Sequence, residues 1–96
     1  MNSNIDKRQV SVIVPAYNEE RSISASLNHL LTIIKSAGLE FEVIVVDDCS
    51  TDKTVEEIKK FKNQNVKLIR QEYNRGYGAA LKTGIDQAEY ELIAII

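Results

Sequence analysis

The chain has 96 residues, 44% of them hydrophobic and 27% charged, a size and composition that fit one small globular domain. Its formal net charge of −2 sets up no field to draw nucleic acid or an anionic membrane surface, so no nucleic acid is expected as a partner. A single cysteine, Cys49, excludes an internal disulfide, no apolar run is long enough to span a bilayer, and the polar start M-N-S-N-I-D-K-R-Q carries no visible secretory signal.

Residues 1–9 read as a flexible polar leader and residues 10–96 as the folded part. Residues 10–14 (V-S-V-I-V) form the first expected strand, ended by Pro15, and P-A-Y-N-E-E follows as a loop. A helix is expected over 20–37, because Ile23, Leu27, Leu30, Leu31 and Ile34 recur at helical spacing and make one stripe. Gly38 closes it as a left-handed cap, and His29 falls on the opposite, solvated face. The second strand, 41–46, is a β-branched run of the kind buried on both faces of a parallel sheet. It stops abruptly on Asp47 and Asp48, after which come Cys49, Ser50, Thr51 and Asp52. A second helix is expected over 53–63, with Val55, Ile58 and Phe61 inward, acids at its start and lysines at its end, as the helix dipole favours. The third strand is 66–69. Q-E-Y-N-R-G-Y-G leads to a third helix over 78–88, with Leu81, Ile85 and Ala88 inward, and the fourth strand is 92–96.

The order βαβαβαβ implies an α/β, Rossmann-like fold with a parallel sheet and right-handed crossovers, in the doubly wound strand order 3-2-1-4. Ligands of such sheets bind beyond the carboxyl ends of the strands. Three loops converge there: P-A-Y-N-E, D-D-C-S-T-D and N-R-G-Y-G. Tyr17 offers a flat face for a base, and Glu19, Asp47 and Asp48 offer acceptors for base N–H or ribose hydroxyl groups. Arg75 is a planar cation suited to phosphate, and Gly76 and Gly78 let backbone approach closely. Together these describe a nucleotide-binding rim. The plainer reading is a solvated acidic turn with Ser50 or Asp52 capping the helix, Tyr17 covering the sheet edge and Arg75 paired with an acid. G-Y-G-A-A-L is no dinucleotide fingerprint, since its third glycine position is Leu81 and it follows the third strand. A phosphoacceptor receiver domain is disfavoured because the first strand ends in Pro15 rather than in an acid pair.

The segments S-V-I-V-P-A-Y-N-E-E, E-V-I-V-V-D-D-C-S-T-D-K-T and N-R-G-Y-G-A-A-L-K-T-G-I resemble, in order and spacing, the first half of a family-2 glycosyltransferase of the GT-A fold. The last is most similar to the branch of dolichol-phosphate mannosyltransferases and polyprenyl-phosphate glycosyltransferases. The resemblance implies that Pro15, Ala16, Tyr17 and Glu19 form the first donor-nucleotide loop, with Tyr17 beside the base. Val46 and Asp48 belong to the second, with Asp47 beside them, and Arg75 and Gly76 lie near the donor phosphates. Asp52 organises the turn and the helix start. In this family an acid-x-acid motif after the fourth strand holds Mg²⁺ or Mn²⁺. Here the sequence reaches Ile96 within that strand, so no catalytic residue and no metal ligand is assigned in this chain.

The resemblance therefore implies a truncated GT-A domain, inactive alone. It is the nucleotide-recognition part of an enzyme that passes a sugar, with inversion, from a nucleoside-diphosphate sugar to an acceptor such as a polyprenyl phosphate. The enzyme is expected in the cytoplasm, with membrane attachment a feature of the polyprenyl branch. Uracil and guanine both present N–H donors that the acids could accept. A non-catalytic nucleotide-binding or signalling module is the alternative. The run Leu92 to Ile96 is apolar, β-prone and uncharged, and is expected to self-associate as an unprotected edge.

Overall fold

The computed structural model describes residues 8–96, and the expected leader lies largely outside these. The elements follow as β1 (Gln9–Ala16), α1 (Ile23–Ser36), β2 (Glu40–Asp47), α2 (Thr54–Lys59), β3 (Val66–Arg70), α3 (Tyr77–Gln87) and β4 (Leu92–Ile95). All strand pairs are parallel and the order is β3-β2-β1-β4, as the sequence implies. β1 and β2 sit centrally, in register from Gln9↔Glu40 to Ala16↔Asp47.

The side chains of these two strands alternate between two half-cores. Val10, Val12, Val14, Val43 and Val45 face α1 and α2, meeting Leu27, Leu31, Ile58 and Phe61. Ile13, Ile44 and Val46 face α3, meeting Ala80. The continuous β-branched run of β2 is thus buried on both faces. α1 buries Ile23, Leu27, Leu31 and Ile34 as its stripe requires, and Gly38 takes the left-handed conformation at φ +71°.

Four details depart from expectation, each for a local reason. β1 begins at Gln9 and continues through Pro15, which pairs with Val46. Ile13 accepts the Ile96 N–H, so its backbone faces β4. Two residues on, the nitrogen of Pro15 faces the same side, just past the last described β1–β4 pair, Ile13↔Ile95, so none of the described pairs needs an N–H from it. α1 starts at Ile23, after a turn in which the Glu19 carbonyl accepts both the Ser22 and Ile23 N–H groups. α2 is only six residues long and tightens through Phe61 N–H to the Ile58 carbonyl, before Asn65 at φ +61° leads into β3.

α3 buries Ala80 and Gly84 and packs Leu81 and Ala88 against the same cluster, whereas Ile85 is 44% exposed where the stripe reading turned it inward. The reason is distance. A Cβ built on Gly84 stands 2.5 Å from Ile13 Cγ2 and 3.2 Å from Val46 Cγ2. The helix lies too close to the sheet for a large residue there.

At the amino end of the sheet Glu42 is buried on the α3 face. It accepts hydrogen bonds from Ser11 Oγ (2.6 Å), Lys67 Nζ (2.7 Å) and the Glu89 N–H (2.6 Å). Burial pushes its pKa up, but those donors outweigh it and hold the carboxyl below its ordinary 4.5. Glu42 therefore contributes stability above pH 4.5 that is lost as pH falls through its lower, folded pKa. Glu42→Gln is expected to flatten this acid limb in pH-dependent urea unfolding and to cost about 1–3 kcal/mol at neutral pH. Gly84→Ala is expected to cost about 1–3 kcal/mol by overpacking. An unchanged urea midpoint for Gly84→Ala is incompatible with the observed helix–sheet approach.

Candidate nucleotide-binding site

Alternation along β2 decides the site. Val46 faces α3, so Asp47 faces α2 and Asp48 faces α3 again. Asp47 is 0% exposed. Its Oδ2 accepts the Ser50 N–H at 2.9 Å and its Oδ1 the Ser50 hydroxyl at 2.5 Å, while Arg70 Nε lies 3.7 Å from Oδ2. Asp48 is 6% exposed, and its two oxygens accept the backbone N–H groups of Arg75 and Gly76, both at 2.8 Å. One acid closes its own turn and the other fastens the third loop.

The first two loops are stitched together as firmly. Ser50 Oγ accepts the Asn18 N–H (2.8 Å), Asn18 Oδ1 accepts the Thr51 N–H (2.8 Å), and Thr54 Oγ1 accepts the Glu19 N–H (2.7 Å). Glu20 Oε1 accepts the Lys53 N–H at 3.1 Å. Asn18 and Cys49 both have positive φ, +50° and +65°, which lets each loop turn sharply beside the other. Cys49 is a turn residue, its Sγ 3.8 Å from the Glu72 carbonyl. Asp52 Oδ1 accepts both the N–H and the hydroxyl of Thr54, so it organises the start of α2. Desolvation pushes its pKa up, but the bonds from Thr54 and the Glu20 N–H outweigh that and hold it below its ordinary value.

Between the loops lies an open cleft of about 460 Å³, lined by Pro15, Ala16, Tyr17, Glu19, Asp48, Asn74, Gly76, Tyr77 and Ala80. It sits at the carboxyl ends of β1 and β2 and beside the start of α3, where open α/β sheets bind ligands. Tyr17 is 45% exposed and Tyr77 64%, so both keep aromatic surface free. Gly76, at φ +96°, leaves open space where a side chain would stand.

Of the residues the sequence singles out, six line this cleft: Pro15, Ala16, Tyr17, Glu19, Asp48 and Gly76. Val46 is buried under α3 and Asp47 within its turn. The Arg75 guanidinium lies 5.9 Å from the centre of the Tyr73 ring, outside the lining, while its backbone N–H binds Asp48. Asn74, Tyr77 and Ala80 were not singled out. Asn74 and Tyr77 flank a segment already marked by Gly76, and Ala80 sits one helical turn past it. Among the described residues no three of His, Cys, Asp and Glu converge as a metal cluster, and Asp47, Asp48 and Asp52 point to different partners: Ser50, the Arg75 and Gly76 N–H groups, and Thr54. These residues do not fit a metal.

A parallel 3-2-1-4 sheet whose first three strand-end loops enclose such a cleft defines an open α/β domain with a ligand-sized cleft at the carboxyl ends of its strands. The chain belongs to glycosyl transferase family 2, whose model matches residues 11–96. It is 42% identical over 88 residues to the poly(ribitol-phosphate) β-N-acetylglucosaminyltransferase TarS of Staphylococcus aureus, covering 90% of this chain and 15% of that protein. The crystal structure of TarS 1–349 in complex with UDP-GlcNAc superposes with a TM-score of 0.82 at 41% identity, over 92% of this chain and 26% of that one. A dolichyl-phosphate β-glucosyltransferase from Dictyostelium discoideum is 36% identical over 90 residues, 84% of this chain and 28% of that protein. A mannosyltransferase from Pyrobaculum calidifontis, solved with GDP-Man and Mn²⁺, gives a TM-score of 0.78 at 30% identity, over 91% and 26% of the two chains. The chain thus spans less than a third of the length of each of these proteins.

Proposed function

We propose that this chain is the donor-nucleotide-binding part of a glycosyltransferase that moves a sugar, with inversion, from a nucleoside-diphosphate sugar to an acceptor, and that a polyprenyl phosphate is that acceptor. The observation that carries the reading is the cleft itself. Three loops of a family-2 sequence enclose it, and their side chains offer one ligand a flat ring, two carboxylates and a glycine edge. In this reading Tyr17 lies along a base, which its exposed ring on the cleft wall supports. Asp48 and Glu19 accept from base N–H or ribose hydroxyl groups. Asp48 has lone pairs to spare, since an ionised carboxylate has about four acceptor sites and the Arg75 and Gly76 N–H groups use two. Open space at Gly76 favours close approach of a diphosphate to the backbone at the start of α3.

Mg²⁺ or Mn²⁺ is proposed as the cofactor of the whole enzyme, with ligands other than the residues described here. Two carboxylates on the cleft wall oppose a bound diphosphate unless a cation intervenes. The mannosyltransferase relative was crystallised with Mn²⁺, and the TarS structure holds UDP-GlcNAc. The resemblance to the polyprenyl branch and the dolichyl-phosphate relative support a lipid-phosphate acceptor and a cytoplasmic, membrane-associated enzyme. No helix among the described residues is long and apolar enough to cross a membrane.

Calorimetric titration of the whole protein with UDP and GDP, each with Mn²⁺, tests the reading. Binding of one in preference to the other is the expected result, and binding of neither rejects it. Asp48→Ala is expected to weaken the preferred nucleotide by about 1–3 kcal/mol, the usual cost of leaving hydrogen-bonded partners unsatisfied.

The outer edge of β4 pairs with no strand among the described residues, and Leu92, Ile95 and Ile96 are exposed. A polypeptide of these 96 residues is expected to self-associate there, and sedimentation at micromolar concentration measures it. Ile93→Lys or Ile95→Lys should restore the monomer.

A further inference from the structure

Asp47 is buried, charged, adjacent to the cleft and absent from its lining. Its geometry points to a different task. The Ser50 hydroxyl has one proton, and at 2.5 Å from Asp47 Oδ1 that proton is committed to the carboxylate. The oxygen's lone pairs are thereby left to accept, and the Asn18 N–H fills one at 2.8 Å. Asn18 lies between Tyr17 and Glu19, both of which line the cleft. Its left-handed backbone, at φ +50°, is further held by the Thr51 N–H on its side-chain oxygen.

We infer that Asp47, Ser50 and Asn18 form a relay of fixed hydrogen-bond polarity that positions the first loop, and through it Tyr17 and Glu19, against the ligand. The inference rests on the cleft being a nucleotide site, and it assigns Asp47 as a positioning residue rather than a ligand contact. Hydrogen-bond direction makes the relay testable by isosteric change. In Asp47→Asn one oxygen becomes an NH₂ donor. If that group faces the Ser50 N–H, two donors oppose each other. If it faces the Ser50 oxygen, the hydroxyl proton is displaced from its acceptor while the Asn18 N–H still points at the same oxygen. Neither orientation satisfies all groups. Ser50→Ala removes the middle link alone and leaves the Asp47 charge in place.

The experiment compares wild type, Asp47→Asn and Ser50→Ala in the whole protein, titrated with UDP and separately with inorganic pyrophosphate, both with Mn²⁺. The relay acts on the loop that would hold the nucleoside, so UDP binding should weaken about tenfold or more while pyrophosphate binding changes less than about twofold. Amide hydrogen exchange supplies a reading that needs no ligand. The Glu19 N–H is bonded to Thr54, not to Ser50, yet it should exchange at least about tenfold faster in Ser50→Ala if the loop has come loose.

Equal weakening of UDP and pyrophosphate, or an unchanged Glu19 exchange rate in Ser50→Ala, would overturn the relay. Wild-type protein that binds no nucleotide rejects the site reading instead, and the exchange rates then still decide whether the relay holds the loop. If Asp47→Asn does not fold, Ser50→Ala carries the comparison.

Discussion

Everything at the cleft depends on how β2 disposes its acids. A strand alternates its side chains, so two neighbouring carboxylates at its end must point to opposite faces of the sheet. Asp47 goes under the turn toward α2, and Asp48 goes to the cleft and the start of α3. Two like charges side by side in sequence are separated by the pleat and matched to different donors. A slip of one residue in the pairing of β2 would exchange them, placing Asp48 beneath the turn. The run from Val43 to Val46 is apolar on both faces and would tolerate such a slip, so the register is held by the acids that bound it, Glu42 on Ser11 and Lys67 and Asp47 on Ser50.

The same face of β2 carries a second acid at the other end. Glu42 and Asp48 both face α3, six positions apart, an even number. Glu42 accepts the N–H of Glu89, just past the end of the helix, and Asp48 accepts the N–H groups of Arg75 and Gly76, just before it. α3 is thus held at both ends by carboxylates of one strand. Between them it packs through Ala80 and Gly84 at a distance that admits no larger residue at Gly84. Small residues bring the helix close, and that closeness brings its amino end to the cleft.

The alternation of strand and helix was legible because it rests on periodicity alone: the β-branched runs, the α1 stripe and the Gly38 cap all stand where those signals put them. The 3-2-1-4 order follows from chirality and the doubly wound pattern. The phase of α3 was legible only in part: Leu81 and Ala88 pack against the sheet as their spacing suggests, while the close approach to Ile13 and Val46 centres the contact on Gly84 and turns Ile85 outward. At the cleft, residue types pointed to three loops that the fold brings together, and six of the singled-out residues line it. What composition cannot reveal is direction. Asp47 and Asp48 look alike in sequence, and composition does not show that the Arg75 side chain lies over Tyr73 while its backbone N–H binds Asp48.

An acidic cleft wall is an unusual setting for an anionic ligand, and the hydrogen bonds account for it. Each carboxylate of the second loop serves donors in the loops: Asp47 the Ser50 amide and hydroxyl, Asp48 two amides, Asp52 the Thr54 amide and hydroxyl with the Glu20 amide beside it. Backbone N–H groups offer a carboxylate partial positive charge without a side chain's entropy, and they fix its direction. The acids therefore hold the backbone of three loops in one arrangement, and ordering those loops beforehand lowers the cost of ordering them when a ligand arrives. The remaining negative potential on the wall still works against a diphosphate and for a base or ribose that brings donors. On the proposed reading, such a wall favours the nucleoside end of a donor over its diphosphate.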